Sequence, residues 1–140
     1  MATLNFSKKK LFRGIDSSAG TPPKWTAYDL DLVKRDVLLH LYTPLGSRVM
    51  LPGFGTTIWQ KLFEPLTEEI LEEIKAEVDN VIRSEPRLQL ISSEIFTFNQ
   101  EQGIRVSITC NFRPFDVVET FFADFVANKN YELQINETQL

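Results

Sequence analysis

The sequence predicts an α/β (α+β) fold in which helices pack on a small, mainly antiparallel sheet within a single domain. Three observations predict it. Two segments, near 29–42 and 67–84, carry apolar residues at helical spacing. Beyond Pro86 the hydrophobic period changes to two, the mark of half-buried antiparallel strands. A chain of 140 residues with 43% hydrophobic content suits one domain with a real core.

Taken in order, residues 1–28 read as an N-terminal arm. Gly14, Ser17-Ser18-Ala19-Gly20 and Thr21-Pro22-Pro23 are turn and breaker chemistry, with Phe6, Leu11, Phe12 and Trp25 as the apolar anchors. The arm is expected to gain order only against a partner. A first helix is predicted over Asp29–Tyr42, with Leu30, Val33, Val37, Leu38 and Leu41 on one face and Asp29 as cap. Thr43-Pro44-Leu45-Gly46 stops it, because proline removes a donor and biases its predecessor away from helix. Residues 46–55 read as a tight structural loop. Gly53-Phe54-Gly55 lacks the lysine and hydroxyl of a phosphate loop.

Thr56–Phe63 predicts a short helix burying Ile58, Trp59, Leu62 and Phe63, ended by Glu64-Pro65. Thr67 is a good N-cap for the second long helix, with Glu68 and Glu69 favourably placed in its first turn. Ile70, Leu71, Ile74, Val78, Val81 and Ile82 form its apolar stripe, and Glu72, Glu73, Lys75, Glu77 and Asp79 its wet side. Residues 88–98 read as a strand of irregular alternation, and 99–103 as a turn. Ile104, Val106, Ile108, Cys110 and Phe112 then alternate with polar residues in a half-buried strand, which turns Cys110 inward. Residues 117–126 fit either a helix or an edge strand. The domain is expected to cover 29–130, with 131–140 as a C-terminal tail.

Composition narrows the function classes. No run approaches the ~20 apolar residues of a membrane span, and the N-terminus lacks the apolar stretch of a signal peptide. A single cysteine predicts a reducing cytoplasm before any assembly step. The net charge of −4 argues against general nucleic-acid binding. Charge is unevenly spread: Lys8, Lys9, Lys10, Arg13 and Lys24 face one acid, Asp16, in the arm, whereas acids dominate 64–101. Such asymmetry favours contacts between unlike surfaces.

Catalytic chemistry finds little support. One histidine, one cysteine and no calcium-loop pattern leave no metal or cofactor site indicated. His40 reads as a helix-edge residue, and nothing marks a nucleophile beside it. Paired carboxylates could support glycoside hydrolysis, and Glu64 and Glu85, each beside a proline, are the candidates. The most informative triplet is Glu85-Pro86-Arg87. In an extended segment residues two apart point the same way, so Glu85 and Arg87 set a carboxylate beside a guanidinium on a rigid mount. That pair either engages a charged partner or seals the helix end as a local ion pair.

Leu45-Gly46-Ser47-Arg48, Pro52-Gly53-Phe54-Gly55, Leu62-Phe63-Glu64 and Glu85-Pro86-Arg87 occur in order. As a set they resemble the baseplate wedge family of contractile phage tails, R-type pyocins and type VI secretion baseplates, over roughly Asp29 to Arg113. Met50-Leu51 before Pro52 and Gly53-Phe54 after it vary from the acidic or aromatic residues common there in the family. The resemblance implies a non-enzymatic structural subunit in the virion tail baseplate, assembled in the host cytoplasm. It implies a role joining baseplate to sheath and templating the first sheath ring. Expected partners are other wedge proteins, the tail sheath protein, and tube or hub proteins, with no nucleic acid and no membrane. Glu85, Pro86 and Arg87, with Arg48 and Glu64, are the implied partner-binding residues. The rivals are a pyocin or type VI subunit in the same role, and a lysozyme-like peptidoglycan glycosidase.

Overall fold

The computed structural model describes residues 10–15, 26–98 and 103–126. By its internal packing the chain divides after Asp36 into two units. Most of the arm, the 99–102 turn and the tail from 127 onward lie outside the described residues.

The first unit holds two strands where breaker chemistry alone was expected. β1 (Arg13–Ile15) pairs antiparallel with β2 (Thr26–Tyr28), Gly14 opposite Ala27. Gly14 has a packing reason: a Cβ there would collide with the Leu32 side chain. Asp29 opens α1 (Asp29–Tyr42) at φ 46°, a conformation acids tolerate better than most residues. Expected as a helix cap, Asp29 anchors the preceding chain, its Oδ1 accepting from the Leu11 and Phe12 amides at 2.9 Å each.

The second unit, from Val37, is the mixed α/β body, with helices packed against a three-stranded antiparallel sheet. Val37, Leu38 and Leu41 are buried on the expected face of α1. α2 (Ile58–Lys61) is a single turn. Its Ile58 and Leu62 are buried four residues apart, but Phe63, expected inside, is 69% exposed. One turn of helix cannot aim four apolar residues the same way, and Phe63 points out.

α3 (Glu68–Ser84) starts as predicted, the Thr67 hydroxyl accepting from the Ile70 amide at 3.4 Å. Ile74, Val78, Val81 and Ile82 are buried and α3 packs on β3 (Leu88–Thr97). Two residues assigned to its wet side are anchors instead. Asp79 accepts from the buried Ser93 hydroxyl of β3 at 2.6 Å. Glu77 accepts from the Thr57 amide at 2.7 Å, supplying from α3 a cap for the start of α2.

The sheet runs β3-β4-β5, with β4 (Gly103–Phe112) central and β5 (Val117–Val126) a strand, which resolves the helix-or-strand ambiguity. β4 alternates as predicted, with Ile104, Val106, Ile108, Cys110 and Phe112 inward. The irregularity of β3 is a bulge between Leu90 and Ser92. β5 pairs with β4 over ten residues without interruption, from Gly103 opposite Val126 to Phe112 opposite Val117.

Candidate functional site

The loop joining α1 to α2 is a built structure. Its base is closed by the Leu45 amide donating to Thr56 O at 3.0 Å and the Thr56 amide to Thr43 O at 2.9 Å. The buried Thr56 hydroxyl donates to Leu41 O at 2.8 Å. Higher up, the Gly46 amide donates to Pro52 O and the Phe54 amide to Leu51 O. Gly55 sits at φ 116°, where a Cβ would lie 2.5 Å from Thr43 O, so only glycine fits.

This closure joins the first two sequence motifs through a ring stack. Phe54 lies 4.1 Å from His40, nearly parallel at 15°, and the Arg48 guanidinium sits 4.0 Å from the Phe54 centroid. Arg48, Phe54 and His40 thus form three layers, a cation over an aromatic face. Burial, with Arg48 adding to it, holds the His40 imidazole below its ordinary range, so it is neutral at pH 7.

Glu85 ends α3 in an extended conformation before Pro86, as a residue preceding proline favours. Arg87 Nε donates to Glu85 Oε1 at 2.6 Å and Nη2 to Oε2 at 2.8 Å, a two-pronged pair. The Arg87 amide also donates to Oε1 at 3.2 Å. The hydrogen bonds from Arg87 hold the Glu85 carboxyl below its ordinary range against the opposing effect of burial. Arg87 O meanwhile accepts from the Arg113 amide at 3.0 Å, fixing the triplet to the end of β4.

The five expected partner-binding residues fall on three separate segments of the chain. Arg48 belongs to the α1–α2 loop, Glu64 precedes the start of α3, and Glu85, Pro86 and Arg87 follow its end. The 17 residues of α3 separate the last two groups by about 25 Å. This geometry also disposes of Glu64 and Glu85 as a hydrolytic pair, since such carboxyls stand roughly 5–10 Å apart. A lowered Glu85 is moreover the wrong direction for a general acid. Among the described residues no cluster of His, Cys, Asp and Glu could hold a metal ion. Nor is any described helix long and apolar enough to cross a membrane.

One feature of β5 had no signal in the sequence. The Asp124 amide donates to Tyr42 Oη at 3.1 Å, off the β4 ladder. Burial raises the Tyr42 phenol to about 12. Tyr42 packs with Trp59 and Phe125, their centroids 5.0–6.1 Å apart, and Trp59 Nε1 donates to Tyr42 O at 2.9 Å. Tyr42 therefore closes one end of the β5 edge. The rest of that edge, Val117 to Ala123, pairs with no further strand among the described residues.

The family described as baseplate wedge protein gp25 matches residues 28–114, a span that includes all four motifs. The chain belongs to this family. That membership makes it a structural component in the assembly of a contractile-tail-type baseplate. Among solved structures, this wedge family member is similar to a Geobacter sulfurreducens protein described as a tail lysozyme. The identity is 24%, with a TM-score of 0.60, over 69% of this chain and 89% of that one. It is also similar to a chain of the post-contracted pyocin R2 baseplate, at 22% identity and a TM-score of 0.53, over 84% of this chain and all of that one. These two likenesses concern the fold. No curated protein matches the chain.

Proposed function

We propose that this wedge protein joins the baseplate to the sheath and templates the first sheath ring by accepting a partner strand along β5. The observation that carries this reading is the outer edge of β5, which pairs with no further strand among the described residues, in a member of a baseplate family. Strand addition supplies backbone hydrogen bonds whatever the partner's side chains. β5 suits the role better than β3, whose bulge against β4 breaks the regular run of the strand. The partners on this reading are the tail sheath protein at β5 and other wedge proteins at Arg48, Glu64 and the Glu85-Pro86-Arg87 corner, with tube or hub proteins nearby. The protein assembles in the host cytoplasm and ends in the tail baseplate of the particle. The same physics serves a pyocin or type VI baseplate. A lysozyme role is disfavoured by the separation of Glu64 and Glu85.

The test is a proline in the β5 edge. Side-chain parity in a strand is two, so the Thr120 amide points the same way as that of Asp124, off the β4 ladder. Thr120→Pro deletes an outward donor, while Thr120→Val changes only the side chain. The proline variant, shown by melting to fold, is expected to enter baseplates but not to start sheaths, and Thr120→Val to start them normally. Normal sheath growth from Thr120→Pro baseplates would sink the proposal.

A further inference from the structure

The α1–α2 loop ends in an exposed apolar tip that neither the family role nor the β5 edge explains. Val49 is 92% and Met50 93% exposed, and Leu45 and Leu51 stand open beside them. Scattered exposed apolar residues are ordinary, but four within seven positions on one loop are a patch. The loop holding them is fixed by the backbone bonds at its base and by Gly55. A rigid apolar display loses little entropy when it docks, which is the economy an interface needs.

The second observation is Arg48 at the edge of the same patch. Its guanidinium carbon sits over the Phe54 ring, 4.0 Å from the centroid, and the group makes no ion pair among the described residues. The stack on Phe54 holds the guanidinium at the edge of the apolar tip. It is thus a preorganised donor for a carboxylate. No other charged residue occurs between Thr43 and Thr57. A surface made to enter an anionic membrane would carry a cluster of Lys and Arg around its apolar tip, and this one carries a single cation.

We infer that the Leu45–Leu51 tip docks a segment of a neighbouring baseplate protein that presents an apolar side chain beside a carboxylate. The apolar anchor covers Val49 and Met50, and the carboxylate takes the fork of Arg48. This inference rests on the baseplate role proposed above and names the chemistry of one partner in it. It concerns a different surface from β5.

The experiment uses the full chain made in cells that produce the complete particle. A photo-crosslinking benzoylphenylalanine replaces Met50, baseplates are purified, and the cross-linked peptide is read by mass spectrometry. In parallel, Met50→Ser, Arg48→Ala and Arg48→Lys are scored for incorporation into baseplates and for melting. The expected result is a cross-link to one segment of another baseplate protein with Asp or Glu close to an apolar residue. Met50→Ser and Arg48→Ala should each lower incorporation about tenfold with unchanged melting, and Arg48→Lys should fall between. A cross-link to a second copy of this chain, or to a segment without an acid, overturns the inference. So does wild-type incorporation of the variants, or binding to phosphatidylglycerol vesicles that the same variants abolish. Absence of the wild-type chain from purified baseplates would overturn the baseplate role as well, which keeps the two failures distinct.

Discussion

Replacing Arg87 by alanine removes one half of the two-pronged pair at the end of α3 and leaves Glu85 with the backbone amide of residue 87 alone. Exposed ion pairs contribute about 0.2–1 kcal/mol, and breaking a fully buried one costs about 3–5 kcal/mol. The Arg87 and Glu85 side chains are 21% and 16% exposed, so the site lies between these limits and nearer the buried one. Allowing for solvent screening, the expected cost is about 2 kcal/mol. For a domain of this size that lowers Tm by roughly 6–8 °C at pH 7. Acid should narrow the gap. The folded Glu85 carboxyl is held below its ordinary 4.5, so the pair's contribution is present above that value and lost as pH falls through the lowered one. In Arg87→Ala the lowering by the side chain is gone and only the residue 87 amide still opposes burial, so the variant has less of this acid sensitivity. Thermal melts of both proteins between pH 7 and pH 3 are the assay. A Tm within 2 °C of wild type at pH 7, or a gap that widens in acid, would refute the assignment of a stabilising, partly buried pair.

Other perturbations test the remaining contacts. Gly55→Ala should cost at least about 3 kcal/mol by denaturant unfolding, from strain at positive φ and the clash with Thr43 O. Glu77→Ala removes the cap that α3 supplies to Thr57 and should lose about 1–2 kcal/mol in the same assay. Tyr42→Phe should cost about 1 kcal/mol by orphaning the Asp124 amide. Because the Tyr42 phenol ionises only near pH 12, phenolate absorbance at pH 10 should be the same in wild type and Tyr42→Phe.

Helices α1 and α3 were legible because each carries a full apolar stripe and a recognisable start at Asp29 or Thr67. β4 was legible because one face is wholly apolar and the other polar. β5 was not, because Val118 and Phe122 place apolar groups on its outer face and hide the period of two. β3 was blurred by the bulge at Ile91, which shifts the inward positions from Leu88 and Leu90 to Ser93 and Ile95. β1 and β2 have three residues each, too few to show any period. Of the candidate site, the Glu85–Arg87 pairing followed from spacing and proline, whereas the Arg48–Phe54–His40 stack depends on loop closure at Thr43 and Thr56. The half-buried roles of Glu77 and Asp79 were hidden because a helical wheel scores carboxylates as solvated whether or not a neighbouring element offers them donors.

The most direct measurement is sheath initiation from baseplates reconstituted with this chain. Electron microscopy counts sheathed particles when the baseplates carry wild-type protein, Thr120→Val or Thr120→Pro, each verified to fold and incorporate. Sheaths starting from the first two, and bare baseplates with the third, are the result expected if β5 accepts the sheath strand. Sheaths of normal number and length on Thr120→Pro baseplates would contradict it.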